Sequence, residues 1–155
     1  MKLSTKGRYG VMAMVDLAQF AASGPVPLSE ISERQEISLS YLEQLFAKLR
    51  RAGLVTSVRG PGGGYRLAYA AEDIRVSEVI AAVDEPIRTT GCKPGAAAGC
   101  IRRSSRCMTH DLWEELGHQI HAYLNSVSLA DVCEGRVYAG PQHASASPFS
   151  EIAAQ

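Results

Sequence analysis

Several things are scarce in this chain, and each scarcity removes a class of function. No Cys-x-x-Cys pair occurs, the one glycine-rich run lacks a GK[ST] ending, and no spacing suggests a catalytic triad. The chain therefore does not read as an enzyme. No apolar run approaches the length of a membrane span. The apolar stretch from Val11 to Ala22 is broken by Asp16 and Gln19, and no small-residue cleavage site follows it, so it does not read as a secretory signal. Net charge is missing too, with 16 Lys+Arg against 16 Asp+Glu. These absences predict a cytoplasmic chain with no membrane and no small-molecule substrate. In the cytosol structural disulfides are rare. The four cysteines then point to metal binding, redox chemistry or burial.

What is present is unevenly placed. With 155 residues, 46% of them hydrophobic, the chain can build one ordinary core or two small ones. Residues 1–75 hold ten Lys/Arg and seven Asp/Glu, a local charge of +3 that the remainder balances at −3. Five basic residues between Lys48 and Arg66 (Lys48, Arg50, Arg51, Arg59 and Arg66) face no acid. Such a stripe suits a polyanion, although counts this small also suit a plain solvated face.

The hydrophobic period predicts a helix over Arg8 to Ala22, stopped at Ser23-Gly24-Pro25, and a short one over Leu28 to Gln35. A third runs over Ser38 to Ala52, where Leu42, Leu45, Phe46 and Leu49 follow helical spacing. Then the period changes. LVTSV and YRL read as two strands joined by the turn RGPGGG. Helix, short helix, helix, hairpin is the order of a winged helix-turn-helix. A fourth helix is expected over Val76 to Val83. The longest runs over Thr109 to Val127, with Leu112, Leu116, Ile120, Tyr123, Leu124 and Val127 on one face. One more turn fits Leu129 to Val132. The expected fold class is mainly α with a small β-hairpin: a winged helix-turn-helix over 1–75, a cysteine loop and long helix over 76–133, and a disordered tail over 134–155.

In a helix-turn-helix the second helix enters the major groove with its first residues on base edges. Here those are Ser38, Ser40, Tyr41, Glu43 and Gln44. Glu can accept from cytosine N4, but Ser40 to Glu43 also fits a capping box, in which Glu43 bonds back to the helix start. Arg59 and Gly60 open the glycine-rich wing. An arginine there suits a narrow minor groove, while the glycines could equally serve only to close the turn.

The stretch GCKPGAAAGCIRRSSRCMTH places Cys92, Cys100, Cys107 and His110 where little else could pack a core. Three thiols and an imidazole suit an iron–sulfur cluster, and they also suit a closed tetrahedral zinc. The intervals come near those of Cys3His zinc fingers but miss the last two by one residue each. The loop also lacks aromatics on which RNA bases could stack.

The stretches STKGRYGVMAM, GPVPLSEISERQEISLSYLEQLFAKLRRAGLV and SVRGPGGGYRLA closely resemble the Rrf-type winged-helix regulators. That resemblance runs from Met1 to about Leu129. It implies a homodimer built on the long helix, bound to double-stranded DNA at promoter operators. It implies one [2Fe–2S] cluster per subunit, held by Cys92, Cys100, Cys107 and His110, and repression of iron–sulfur cluster assembly genes in response to cluster or iron status. It assigns base reading to Ser40, Glu43 and Gln44 and the minor groove to Arg59. The acid at Glu43 is expected to discourage binding of the cluster-free protein to one class of site. Both inter-cysteine intervals are longer than is usual in the family. Family members that sense nitric oxide carry an N-terminal acid as a ligand; here Arg8 stands in that region and His110 is present, which points away from that branch.

Overall fold

A computed structural model describes residues 4–83, Thr89 and residues 107–138. Helix α1 spans Thr5–Phe20, three residues earlier than the apolar period suggests. Its start is set by a cap: the Ser4 side chain accepts the Lys6 N–H at 3.2 Å, satisfying one orphan donor of the first turn. Helix α2 spans Leu28–Gln35 and ends at Glu36, which takes a left-handed conformation. Helix α3 spans Leu39–Arg51 and buries the expected stripe of Leu42, Leu45, Phe46 and Leu49. Strands β1 (Val55–Val58) and β2 (Gly64–Leu67) pair antiparallel, with Val55 opposite Leu67 and Val58 opposite Gly64. The winged order expected from the sequence is the order found.

Helices α4 (Val76–Ala82), α5 (His110–Ser126) and α6 (Leu129–Cys133) follow. One core crosses residue 75. Met14, Leu17, Ile31, Phe46 and Leu49 share it with Val79 of α4, Val83 just after that helix and Leu129 of α6. Gly10 lets α1 and α4 meet closely, since a Cβ there would lie 3.2 Å from Val83 Cγ1. Beneath this core, Asp16 is 1% exposed. It accepts hydrogen bonds from Arg34 Nε and Nη2 and from Gln35 Nε2. Arg34 also donates to Glu30 and lies 4.0 Å over the Phe20 ring. A charge buried this deeply is tolerated only with such pairing, and the pair ties α1 to α2.

Two expectations shift. The α5 stripe is covered only towards its C-terminal end: Leu124 packs against the small cluster of Val76, Ile80 and Val127, whereas Leu112 is 61% and Tyr123 48% exposed. The expected tail begins with order, because Arg136–Tyr138 forms a 3-10 turn. Arg136 pairs with Asp131 and Glu134, and the Tyr123 hydroxyl donates to the Val137 carbonyl. The rest of the tail, from residue 139, lies outside the described residues.

Candidate nucleic-acid interface and metal-ligand turn

Ser38 is the N-cap residue of α3 and makes no side-chain cap bond. A capping box therefore cannot run from Ser40 to Glu43, because Ser40 is already the second residue of the helix. Glu43 is exposed, as are Ser38, Ser40 and Gln44. Four of the five sequence-selected positions thus stand on the open face at the start of α3. The fifth, Tyr41, is half-buried against the core, with its ring edge-on to Tyr9 at 5.9 Å and 83°. That contact sets how α3 lies on α1. Nothing in the local sequence pattern around Tyr9 marks it as a long-range ring partner.

The wing's glycines have backbone reasons. Gly60 and Gly62 have φ of 99° and 70°, values that side chains rarely adopt. A Cβ on Gly63 would overlap the Val58 carbonyl, and one on Gly64 would overlap the carbonyl of Val26. Val26 bridges to Tyr65, with Val26 N to Tyr65 O at 2.9 Å, and this docks the wing's base on the chain ahead of α2. Arg59 is exposed where the hairpin turns, and Arg50, Arg51 and Arg66 are exposed too. The basic stripe is therefore a surface feature of the same half that presents α3.

Cys107 and His110 meet in one turn. The His110 N–H donates to the Cys107 carbonyl at 3.0 Å, just as α5 begins. Both residues are partly buried. The Cys107 Sγ lies 3.7 Å from Thr109 Oγ1, and His110 Nε2 lies 3.8 Å from Glu114 Oε2. A carboxylate beside an imidazole can orient the ring. Cys92 and Cys100 lie outside the described residues. The donors of His110, Asp111 and Glu114 also converge within 4.8 Å of one another. The two acids are exposed, and hard carboxylates are the less fitting company for thiolates. A thiolate and an imidazole one turn apart fit an iron–sulfur or zinc centre.

Cys133 belongs elsewhere. Its Sγ approaches the Val15 carbonyl at 3.7 Å, and burial pushes its thiol pKa up, which disfavours the thiolate that a metal needs. His118 and His121 are exposed on α5.

The chain matches the Rrf2 family, an iron-dependent transcriptional regulator, over residues 3–135. It belongs to the Rrf2 family. The HTH-type transcriptional regulator IscR of Vibrio atlanticus (strain LGP32) is 57% identical over 132 residues, covering 85% of this chain and 75% of that protein. Among solved structures, T. potens IscR matches with a TM-score of 0.71 and 40% identity over 95% of this chain and 94% of that one. CymR (YrzC), the global cysteine regulator of B. subtilis, matches with a TM-score of 0.73 and 32% identity, over 87% and 98% respectively. This Rrf2 chain is thus a DNA-binding transcriptional regulator of the IscR type, not an enzyme. The pair of structural relatives is instructive: a regulator named for cysteine shares the Rrf2 fold with IscR, so the fold does not dictate the signal. What an Rrf2 protein senses has to be argued from its ligand residues.

Proposed function

We propose that this Rrf2 regulator is a cytoplasmic homodimer that represses iron–sulfur cluster assembly genes when it carries a [2Fe–2S] cluster. Cys92, Cys100, Cys107 and His110 hold the cluster, whose chemistry is that of a labile thiolate-bound centre reporting iron and cluster supply. The observation that carries this reading is the Cys107–His110 turn at the first residue of α5. The other end of that helix is built into the winged half. Val76 N–H donates to the Val127 carbonyl at 3.0 Å, Leu129 N–H to Ile74 O at 3.0 Å, and Ser77 Oγ bonds Asn125 Oδ1 at 3.0 Å. Seventeen helical residues reach roughly 25 Å, so order at the ligand end is delivered to the DNA-binding end by one rigid element.

The exposed apolar stripe of α5 supplies the dimer contact, where Leu112, Trp113 and Tyr123 bury against a second copy. On DNA, Ser38, Ser40 and Gln44 read base edges and Glu43 accepts from cytosine N4. Tyr41 supports the helix, and Arg59 with Gly60 brings the wing to the minor groove. At operators offering Glu43 no amine partner, its desolvated carboxylate opposes binding.

Anaerobic purification tests the sensor. The expected product is brown with about two irons per chain. It should bind an assembly-gene promoter more tightly than His110→Ala does. A colourless zinc protein with the same promoter affinity would overturn the cluster reading.

A further inference from the structure

Helix α5 carries a glycine in its interior, Gly117, where alanine would be the better helix former. A side chain packs against it. A Cβ at Gly117 would lie 2.6 Å from Thr89 Oγ1 and 3.5 Å from Thr89 Cγ2. The same Thr89 hydroxyl donates to the Trp113 carbonyl at 2.5 Å, the carbonyl that lies four residues before Gly117 and faces its N–H in the helix. The absent Cβ thus makes a notch, and Thr89 fills it. Threonine is β-branched and stiff at χ1, so its hydroxyl cannot swing aside to admit a methyl group and keep its bond.

The notch is well placed. Trp113 lies three residues after His110, and Thr89 lies three residues before Cys92. Three residues of chain span at most about 11 Å. Whatever anchors Thr89 therefore limits where Cys92 can deliver its thiolate, relative to the turn that carries Cys107 and His110.

We infer that the Thr89–Gly117 notch is a positioning contact that presents the two ends of the cysteine loop to a common metal centre. The inference rests on the metal-binding reading above, but it does not require that the metal be iron. A clip that fixes Thr89 shortens the stretch of chain that must be closed onto the metal, lowering the entropic cost of closure.

The experiment compares the full-length parent with Thr89→Val and Gly117→Ala. Thr89→Val keeps the shape and loses the hydroxyl. Gly117→Ala fills the notch while favouring helix, so circular dichroism and thermal melting should show α5 no less stable. After anaerobic reconstitution, cluster loss to a chelator is followed by visible absorption. Thr89→Val should lose it about fivefold faster, the factor one net hydrogen bond supplies, and Gly117→Ala at least as fast. Cobalt(II) is titrated in parallel, using its thiolate charge-transfer bands.

If the parent keeps its cluster and both variants match its rate, the clip is refuted while the cluster reading stands. If the parent takes no cluster but binds cobalt, and the variants bind cobalt more weakly, the clip stands and the cluster reading fails. If the parent takes no cluster and cobalt binds equally to all three, or to none, both fail.

Discussion

The two halves of this molecule are held together in different ways. From Ser4 to Val83 each helix buries a stripe: Met14 and Leu17 of α1, Ile31 of α2, Phe46 and Leu49 of α3 and Val79 of α4 are all 0% exposed. From His110 to Ser126 no residue of the longest described helix is fully buried, and Leu112, Trp113 and Tyr123 stand exposed. Its covered part is the C-terminal end, where Leu124 packs against Val76, Ile80 and Val127, and an amphipathic helix draws most of its stability from covering its apolar face. The winged half is therefore complete in one chain. The α5 half leaves Leu112, Trp113 and Tyr123 uncovered, the face on which the proposed second copy would sit.

The sharpest way to break that contrast is to truncate an apolar side chain in each half. Phe46→Ala removes a 0% exposed ring that packs edge-on against Tyr65 at 4.8 Å. It should cost about 3–5 kcal/mol in a urea titration, independent of protein concentration. Leu112→Ala, on a 61% exposed residue, should leave the unfolding free energy of dilute monomer within about 0.5 kcal/mol of the parent. Its effect should appear instead as weaker self-association in sedimentation equilibrium. Equal losses for both variants in dilute protein would show that α5 is already packed within one chain.

A smaller effect is expected at the wing. Arg59→Ala should weaken operator binding by about 1–3 kcal/mol and soften A·T preference under the wing. Folding should be untouched, because Arg59 is exposed. The same substitution should act alike on cluster-loaded and cluster-free protein, whereas Cys107→Ser should act only through loading. An Arg59→Ala protein with parental affinity across a salt series would remove the wing from the interface.

The same contrast governs how much the sequence could disclose. The winged half was legible because its signals are local: Leu42, Leu45, Phe46 and Leu49 repeat at helical spacing, and RGPGGG can only be a turn. Less was legible where the deciding partner is remote. Asp16 reads as a break in an apolar run, and only the fold brings Arg34 and Gln35 to it. Ser40 to Glu43 reads as a capping box until Ser38 takes the cap position. Gly10 and Gly117 read as weak points in helices, yet one admits Val83 and the other Thr89. The α5 stripe was visible at once, but periodicity reports only that a face is apolar, not whether this chain or another covers it. For the cysteine stretch the sequence shows only residue types and spacing, and the structure adds the Cys107–His110 turn.

The smallest prediction concerns the seam where the two halves join. Asp131 caps α6, and its carboxylate accepts the Ser128 N–H at 3.0 Å and the Ser128 hydroxyl at 2.7 Å, with Arg136 beside it. The backbone bond from Ser128, then its hydroxyl, then Arg136 hold the Asp131 pKa down from 3.8 to about 2. A carboxyl more acidic in the folded chain than in the unfolded one stabilises the fold while it is ionised. That contribution is complete above the unfolded value of 3.8 and disappears as pH falls through about 2. Asp131→Asn should therefore be less stable than the parent at neutral pH, and the urea midpoints of the two should converge across that acid window. Ser128 and Leu129 pass directly from the end of α5 into the core, so convergence would place the loss at the joint and leave α3 untouched. If the two acid limbs instead ran parallel, the α6 cap would not be what fastens the exposed helix to the self-sufficient half.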